Sequence, residues 1–217
     1  MEYSINQFRR FTFFLKTVSR QTISAFFKND IEKINANGIL NLEGYQKGNQ
    51  YFFIVDVLPN KSFNDVKKVF EKGLLQPKAL ERIYELDQTE IYLANEGQLK
   101  TKLGNIKRFV WTLLLEEDPN LIAEYKKAHS IGKAWPEITS NMKSVGVKDM
   151  EIYLNGNQAI LIMDTKPNFD LEKAGPKWQK LPRENEWQEY VAKFQRTSPE
   201  SSIQEKWIDM EKINFLQ

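Results

Sequence analysis

The sequence has no cysteine and one histidine, His129. The first absence removes disulfides, thiol nucleophiles and thiolate-held metals, and the second makes a His-rich metal site impossible within one chain, so metal chemistry is not expected. Charge of one sign is also lacking in excess: 31 Lys and Arg stand against 29 Asp and Glu. That balance leaves no basic footprint for nucleic acid and no polybasic patch for a membrane surface. No apolar run approaches the roughly 20 residues that span a bilayer. The Phe-Thr-Phe-Phe-Leu run after Arg9 and Arg10 is too short for the apolar core of a signal peptide. The expected setting is cytoplasmic, and the expected partner is a small molecule or another protein. Core material is plentiful, with 41% hydrophobic residues, 14 Phe and 5 Trp, enough for one large domain or two small ones.

In chain order, Arg10 to Leu15 reads as a strand, followed by a helix from about Thr22 that stops at Gly38. Leu40 to Tyr45 and Tyr51 to Val57 are strands joined through Lys47-Gly48. Ser62 is placed to cap a helix carrying Phe63, Val66, Val69 and Phe70. A short helix is expected from Pro77 to about Leu86, and a strand from Gln88 to Ala94. The order then starts again with a strand at Arg108 to Leu115 and a helix opened by Asp118-Pro119, where proline's missing N–H costs nothing. Gly132 interrupts that helix, Pro136-Glu137 restarts it and Gly146 stops it. Met150 to Leu154 and Gln158 to Asp164 flank Asn155-Gly156, a strong hairpin signal. Helices near Leu171 and at Glu186 to Gln195 follow, and Lys206 to Leu216 alternates like a last strand.

A shift of 108 places Glu43, Tyr45, Gly48, Asn49, Gln50, Ile54, Asp56, Pro59 and Asn60 on Glu151, Tyr153, Gly156, Asn157, Gln158, Ile162, Asp164, Pro167 and Asn168. Nine identities in the eighteen positions 43 to 60 are not chance, and they point to a tandem repeat. Arg10-Phe11 meets Arg108-Phe109 at a shift of 98, so 108 − 98 = 10 residues are missing from the first copy between the two blocks. Residues 1 to 106 contain neither His nor Trp. The first copy, residues 1 to 104, is therefore expected to be scaffold, and the second, 105 to 217, to carry the chemistry. Each copy reads β-α-β-β-α-β, an α+β ferredoxin-like arrangement. The expected architecture is two such repeats pairing as an intrachain pseudo-dimer of the dimeric α/β-barrel type.

The stretch 121 to 137 concentrates the chemistry. Tyr125 and His129 are four apart and share one helical face, continuing the stripe begun by Ile122. A histidine near neutral pH is a ready proton donor or acceptor; the alternative is a satisfied core residue.

The order Glu124-Tyr125, His129, Trp135-Pro136-Glu137, Met150-Glu151-Ile152-Tyr153, Trp187, then Trp207 and Met210-Glu211-Lys212-Ile213 resembles the L-rhamnose mutarotase family, with its L-fucose-associated relatives. The resemblance covers about residues 107 to 217 and implies a ferredoxin-like fold, dimers that form an α/β barrel, and a monosaccharide as ligand. It implies that Tyr125 contacts the sugar and that His129 is the proton donor. Met150 stands where the family commonly has a sugar-contacting tyrosine, and Trp187-Gln188 stands where two adjacent tryptophans are common.

The implied reaction is anomer exchange of a 6-deoxyhexose: the ring oxygen gains a proton while the anomeric hydroxyl loses one, the hemiacetal opens, and it recloses on the other face. No cofactor is required. His129 is the expected acid, and Tyr125 and Trp187 are sugar contacts or packed core. Glu151 is a candidate base, although its match to Glu43 favours a structural role, and Trp135 restarts a helix and walls the pocket. Two other classes remain at this point: a haem-binding or cofactor-free monooxygenase, in which a lone histidine ligates iron or orients substrate, and a sugar-binding module without turnover.

Overall fold

The computed structural model describes residues 4, 6–16, 19–25, 38–71, 76, 78–90, 92–197 and 206–214. In chain order the first elements are β1 (Gln7–Lys16), α1 (residues 20–25), β2 (Ile39–Lys47), β3 (Gln50–Val57) and α2 (Phe63–Glu71). Three short strands follow, β4 (Lys78–Ala79), β5 (Glu81–Glu85) and β6 (Gln98–Thr101), and then β7 (Lys107–Leu114), α3 (Pro119–Ala128) and α4 (Pro136–Val145). The chain continues through β8 (Val147–Asn155), β9 (Gln158–Thr165), α5 (Leu171–Trp178), α6 (Glu184–Ala192), β10 (Ile208–Asp209) and β11 (Glu211–Lys212).

Contacts divide the chain into two compact units. The first comprises Met1–Glu81, Tyr92–Lys102 and Met210–Gln217, and its sheet runs β11-β2-β3-β1-β4 with β6 also on β1. Without β11 and β6 this is the 2-3-1-4 strand order of a ferredoxin-like sheet. Ser62 does cap α2: its Oγ accepts from Asp65 N at 3.3 Å and the Asp65 carboxylate accepts from Ser62 N at 3.0 Å, a reciprocal cap. Phe13, Phe53 and Phe70 pack together in the core of this unit.

The second unit comprises Arg82–Ile91 and Leu103–Asp209, and its sheet runs β10-β7-β9-β8-β5. Its first four positions repeat the ferredoxin-like order, with β7 to β9 and β8 to β9 antiparallel. Gly156 takes φ 63° in the turn between β8 and β9, a value that favours glycine. Alternation along the strands sends Trp111, Met150, Ile152 and Leu161 into one core with Tyr125 of α3 and Ile138 and Met142 of α4.

The two units share ladder details. Arg10 faces Asp56 in one ladder and Arg108 faces Asp164 in the other. Each pair is a two-pronged ion pair, at 2.7 and 3.0 Å in the first unit and 2.7 and 2.7 Å in the second. The register shift between Ile39 and Asn41 recurs between Val147 and Asp149, displaced by the same 108 residues as the sequence identities.

Three expectations need correction. Residues 78–86 are not helical: β4 and β5 occupy them, and β5 joins β8 in the second sheet. Among the described residues of 88–94 there is no strand, whereas β6 pairs antiparallel with β1. The stretch expected as one strand from Lys206 is two, since β10 pairs with Trp111 and Thr112 while β11 pairs with Tyr45 and Gln46. The units consequently do not divide at 104/105: residues 82–91 belong with the second and 210–217 with the first. The helix expected from Thr22 to Gly38 is described only over 20–25, and its remainder, like Leu216, lies outside the described residues. No helix among the described residues is long and apolar enough to cross a membrane.

Candidate active site

The site is built on the α3–α4 break. Asp118 Oδ1 accepts from Asn120 N at 2.7 Å and Leu121 N at 3.3 Å, and Pro119 follows as the first helical residue. The helix ends at His129, whose backbone lies at φ −98° and ψ −2° and whose N–H turns back to the Tyr125 carbonyl. Four-residue spacing brings the Tyr125 and His129 rings together, tilted by 49° with centroids 4.3 Å apart. Gly132 at φ 71° turns the chain, Trp135 precedes α4, and Pro136 opens it. Gly146 closes α4 at φ 108°.

These elements surround a cavity of about 180 Å³ within the second unit, a size suited to a small molecule. All five tryptophans of the chain line it: Trp111, Trp135, Trp178, Trp187 and Trp207. Trp187 meets the edge of His129 at 5.5 Å and Trp135 at 5.3 Å. Arg183 lies over the Trp135 ring at 4.1 Å and pairs with Glu137 and Glu186, both at 3.2 Å. The Trp111 indole N–H donates to Asp209.

Polar groups enter this wall at few places. His129 Nδ1 lies 2.8 Å from the Tyr125 carbonyl oxygen, which can only accept, so in the neutral ring Nδ1 carries the hydrogen and Nε2 keeps its lone pair. Burial pulls the His129 pKa down from 6.5 to about 4, against the hydrogen bond to Tyr125. Burial pushes the Tyr125 phenol well above its ordinary range, and it pushes Tyr84 up to about 12 against a hydrogen bond with Thr139. Glu184 lies at the start of α6, where its Oε1 accepts from Asn141 Nδ2 at 2.9 Å and Trp178 Nε1 at 3.0 Å. Burial raises its pKa in spite of both donors. Gln195 is also in the lining, and its Oε1 is buried without a partner among the described residues.

His129, Tyr125, Trp135, Met150, Trp187 and Gln188 all come together around the cavity. Glu151 does not. Strand alternation points Met150 and Ile152 inward and sends Glu151 and Tyr153 to the other side, where the Tyr153 hydroxyl donates to Glu151 at 3.3 Å. Tyr45 and Glu43 make the matching contact in the first unit at 2.5 Å, so the position repeats as a structural pair. Among the described residues, Glu85, Asp149 and Glu151 form the one acidic group with ligand-like spacing, their oxygens within 4.8 Å. None of the three lines the cavity, Arg82 pairs with Glu85, and Asp149 accepts from Met150 N at 2.8 Å.

With Nδ1–H committed to the Tyr125 carbonyl, the neutral imidazole keeps Nε2 as its free acceptor, and an imidazolium would carry its second N–H there. Residues not anticipated from sequence are Tyr84, Trp111, Trp178, Glu184, Gln195 and Asp209. The concentration of every tryptophan in the second half was the available signal for Trp111 and Trp178; the others carried none.

A family profile described as L-rhamnose mutarotase matches residues 108–216. An L-fucose mutarotase of Xanthomonas campestris pv. campestris is 27% identical over 109 residues, covering 50% of this chain and 87% of that protein. A UPF0734 protein of Dictyostelium discoideum is 32% identical over 111 residues, covering 49% of this chain and 87% of that one. Among solved structures, a monooxygenase-like protein of Listeria innocua aligns over 95% of each chain with TM-score 0.40 and 12% identity. The matched span holds Tyr125, His129 and all five tryptophans of the cavity wall, and through it this chain belongs to the L-rhamnose mutarotase family.

Proposed function

We infer that the protein is a sugar mutarotase that exchanges the α and β anomers of a 6-deoxyhexose such as L-rhamnose or L-fucose. One observation carries this reading: the single histidine, neutral and fixed in one tautomer, lines a small aromatic cavity in the part of the chain that the family profile matches. Nε2 of His129 takes the proton of the anomeric hydroxyl as the C1–O5 bond opens and returns it when the ring closes on the other face. General acid–base help of this kind contributes on the order of 10²–10⁴-fold. The Tyr125 hydroxyl holds a sugar hydroxyl, Gln188 offers a second polar contact, and Trp187 with Trp135 covers the apolar face of the ring. Met142, Met150 and Ile152 in the wall suit a methyl at C6 better than a hydroxymethyl, which would bury an unpaired hydroxyl.

The repeated ion pair, repeated Tyr–Glu contact and repeated register shift support descent of the two units from one. The first unit then acts as scaffold, and one sugar binds per chain. The monosaccharide is the partner, a cytoplasmic setting fits it, and the activity is that of an isomerase.

Exchange NMR on L-rhamnose, L-fucose and matched sugars with a 6-hydroxymethyl group tests the reading. Acceleration of the 6-deoxy sugars above the buffer rate, without added metal or nucleotide, is expected. No acceleration of any aldose would leave a binding module in its place.

A further inference from the structure

We propose that Glu184 is a second catalytic residue of this cavity, delivering a proton to the ring oxygen and recovering it on reclosure. The inference rests on the mutarotase reading and supplies the group that His129, starting as an acceptor, leaves unassigned.

The geometry singles out this side chain. Glu184 is 2% exposed, yet it lines the cavity. Both of its protein donors, Asn141 Nδ2 and Trp178 Nε1, go to Oε1, and among the described residues Oε2 has no partner. Arg183, adjacent in sequence, does not neutralise it, because that guanidinium is committed to Glu137 and Glu186 and lies over Trp135. A buried carboxyl with no cation is held at a cost that a glutamine would avoid while accepting the same two hydrogen bonds. Tying α4, α5 and α6 together therefore accounts for an acceptor at this place but not for an acid. What the carboxyl adds is a transferable proton. One turn along α6, Trp187 touches His129, so the two groups belong to one site.

The chemistry balances without any co-reactant. The Oε2–H proton goes to the ring oxygen as the C1–O5 electron pair leaves to that oxygen. The O1–H electron pair becomes the second bond of the C1 carbonyl, and its proton goes to His129 Nε2. The open-chain sugar then lies beside a carboxylate and an imidazolium. After rotation about C1–C2, O5 attacks the other face of the carbonyl, its proton returns to Glu184, and the imidazolium returns its proton to O1. Both residues end as they began. Burial disfavours the charged form of each, lowering the His129 pKa and raising that of Glu184 above the usual carboxyl range.

Glu184→Gln tests the assignment, since the amide oxygen can keep Asn141 and Trp178 satisfied and the fold should survive. Exchange should fall on the order of 10²–10⁴-fold, while sugar affinity by calorimetry and the thermal midpoint stay close to wild type. The wild-type rate should decline as pH rises through the raised Glu184 titration, and that limb should be missing from the residual rate of the variant. The other titratable groups lining the cavity are Tyr84, Tyr125, His129 and Asp209, so Tyr125→Phe serves as the control for a limb set by a phenol. Carboxyl carbon NMR of glutamate-labelled protein should show one resonance, absent from Glu184→Gln, titrating above the ordinary glutamate range. A variant exchanging sugar at the wild-type rate, or a Glu184 resonance titrating in or below the ordinary range, overturns the proposal and leaves the mutarotase reading standing. A wild-type protein that accelerates no aldose overturns both.

Discussion

Acidification should destabilise this protein through His129 by an amount the structure sets. In the unfolded chain the imidazole takes up a proton below about pH 6.5, whereas in the folded protein burial delays uptake to about pH 4. The unfolded state therefore binds more protons in that window; the stability is fully present above pH 6.5 and is lost as pH falls towards 4. A gap of 6.5 − 4 = 2.5 on the pH scale, at about 1.36 kcal/mol per unit, corresponds to about 3 kcal/mol. Carboxylates titrate over part of the same range, so the measurement is a difference. Urea unfolding of wild type and His129→Gln at pH 7 and pH 4 removes the shared contribution, and the Gln amide can still donate to the Tyr125 carbonyl. Wild type should lose about 3 kcal/mol more than the variant over this range. Equal losses, or an imidazole NMR titration centred near 6.5, would refute the buried neutral ring and the acceptor role with it.

Other outcomes follow from individual contacts. Tyr125→Phe should leave stability nearly unchanged, because the hydroxyl has no protein partner among the described residues, and should lower kcat/KM about 3- to 10-fold, the worth of one hydrogen bond to substrate. Arg108→Met should cost about 3–5 kcal/mol in denaturant unfolding by leaving Asp164 buried and unpaired. Pairing that change with Asp164→Leu should recover much of the loss. Asp118→Ala removes the cap from α3 and should cost about 1 kcal/mol. If thermal melting shows no loss for Asp118→Ala, the cap is not holding the helix that presents Tyr125 and His129.

The parts of the fold that were legible in the sequence are those set by local chemistry. Asp118-Pro119, Gly132, Pro136 and Gly146 each act within a few residues, and all four punctuate the α3–α4 segment as read. Asn155-Gly156 fixed its hairpin for the same reason. Residues 78–86 were misread because Ala-Leu-Glu-Arg-Ile-Tyr-Glu-Leu favours a helix locally, while pairing of β4 with β1 and of β5 with β8 decides their structure. In the site, His129 announced itself by being alone, and Trp187 by its place in a family pattern. Glu184 gave no such sign: its burial depends on Asn141 and Trp178, which lie 43 and 6 residues away. Glu151 stood as a candidate base whose match to Glu43 favoured a structural role, and the strand's alternation turns it away from the cavity to the matching tyrosine contact.

The exchange of edge strands bears on how this chain can fold. Glu211 pairs with Gln46, so the outermost ladder of the first sheet joins positions 211 − 46 = 165 apart. Closing so long a loop is entropically slow, and sheets that depend on such distant pairings form later than those built from neighbours. Until β11 arrives, β2 presents an unpaired edge, and such an edge is a template for other strands. In the second sheet it is β5 that waits, since the ribosome makes it before β8, the strand it pairs with. Refolding from denaturant should accordingly show a late phase in which β2 amides gain protection after those of β3, and that interval is when aggregation should begin.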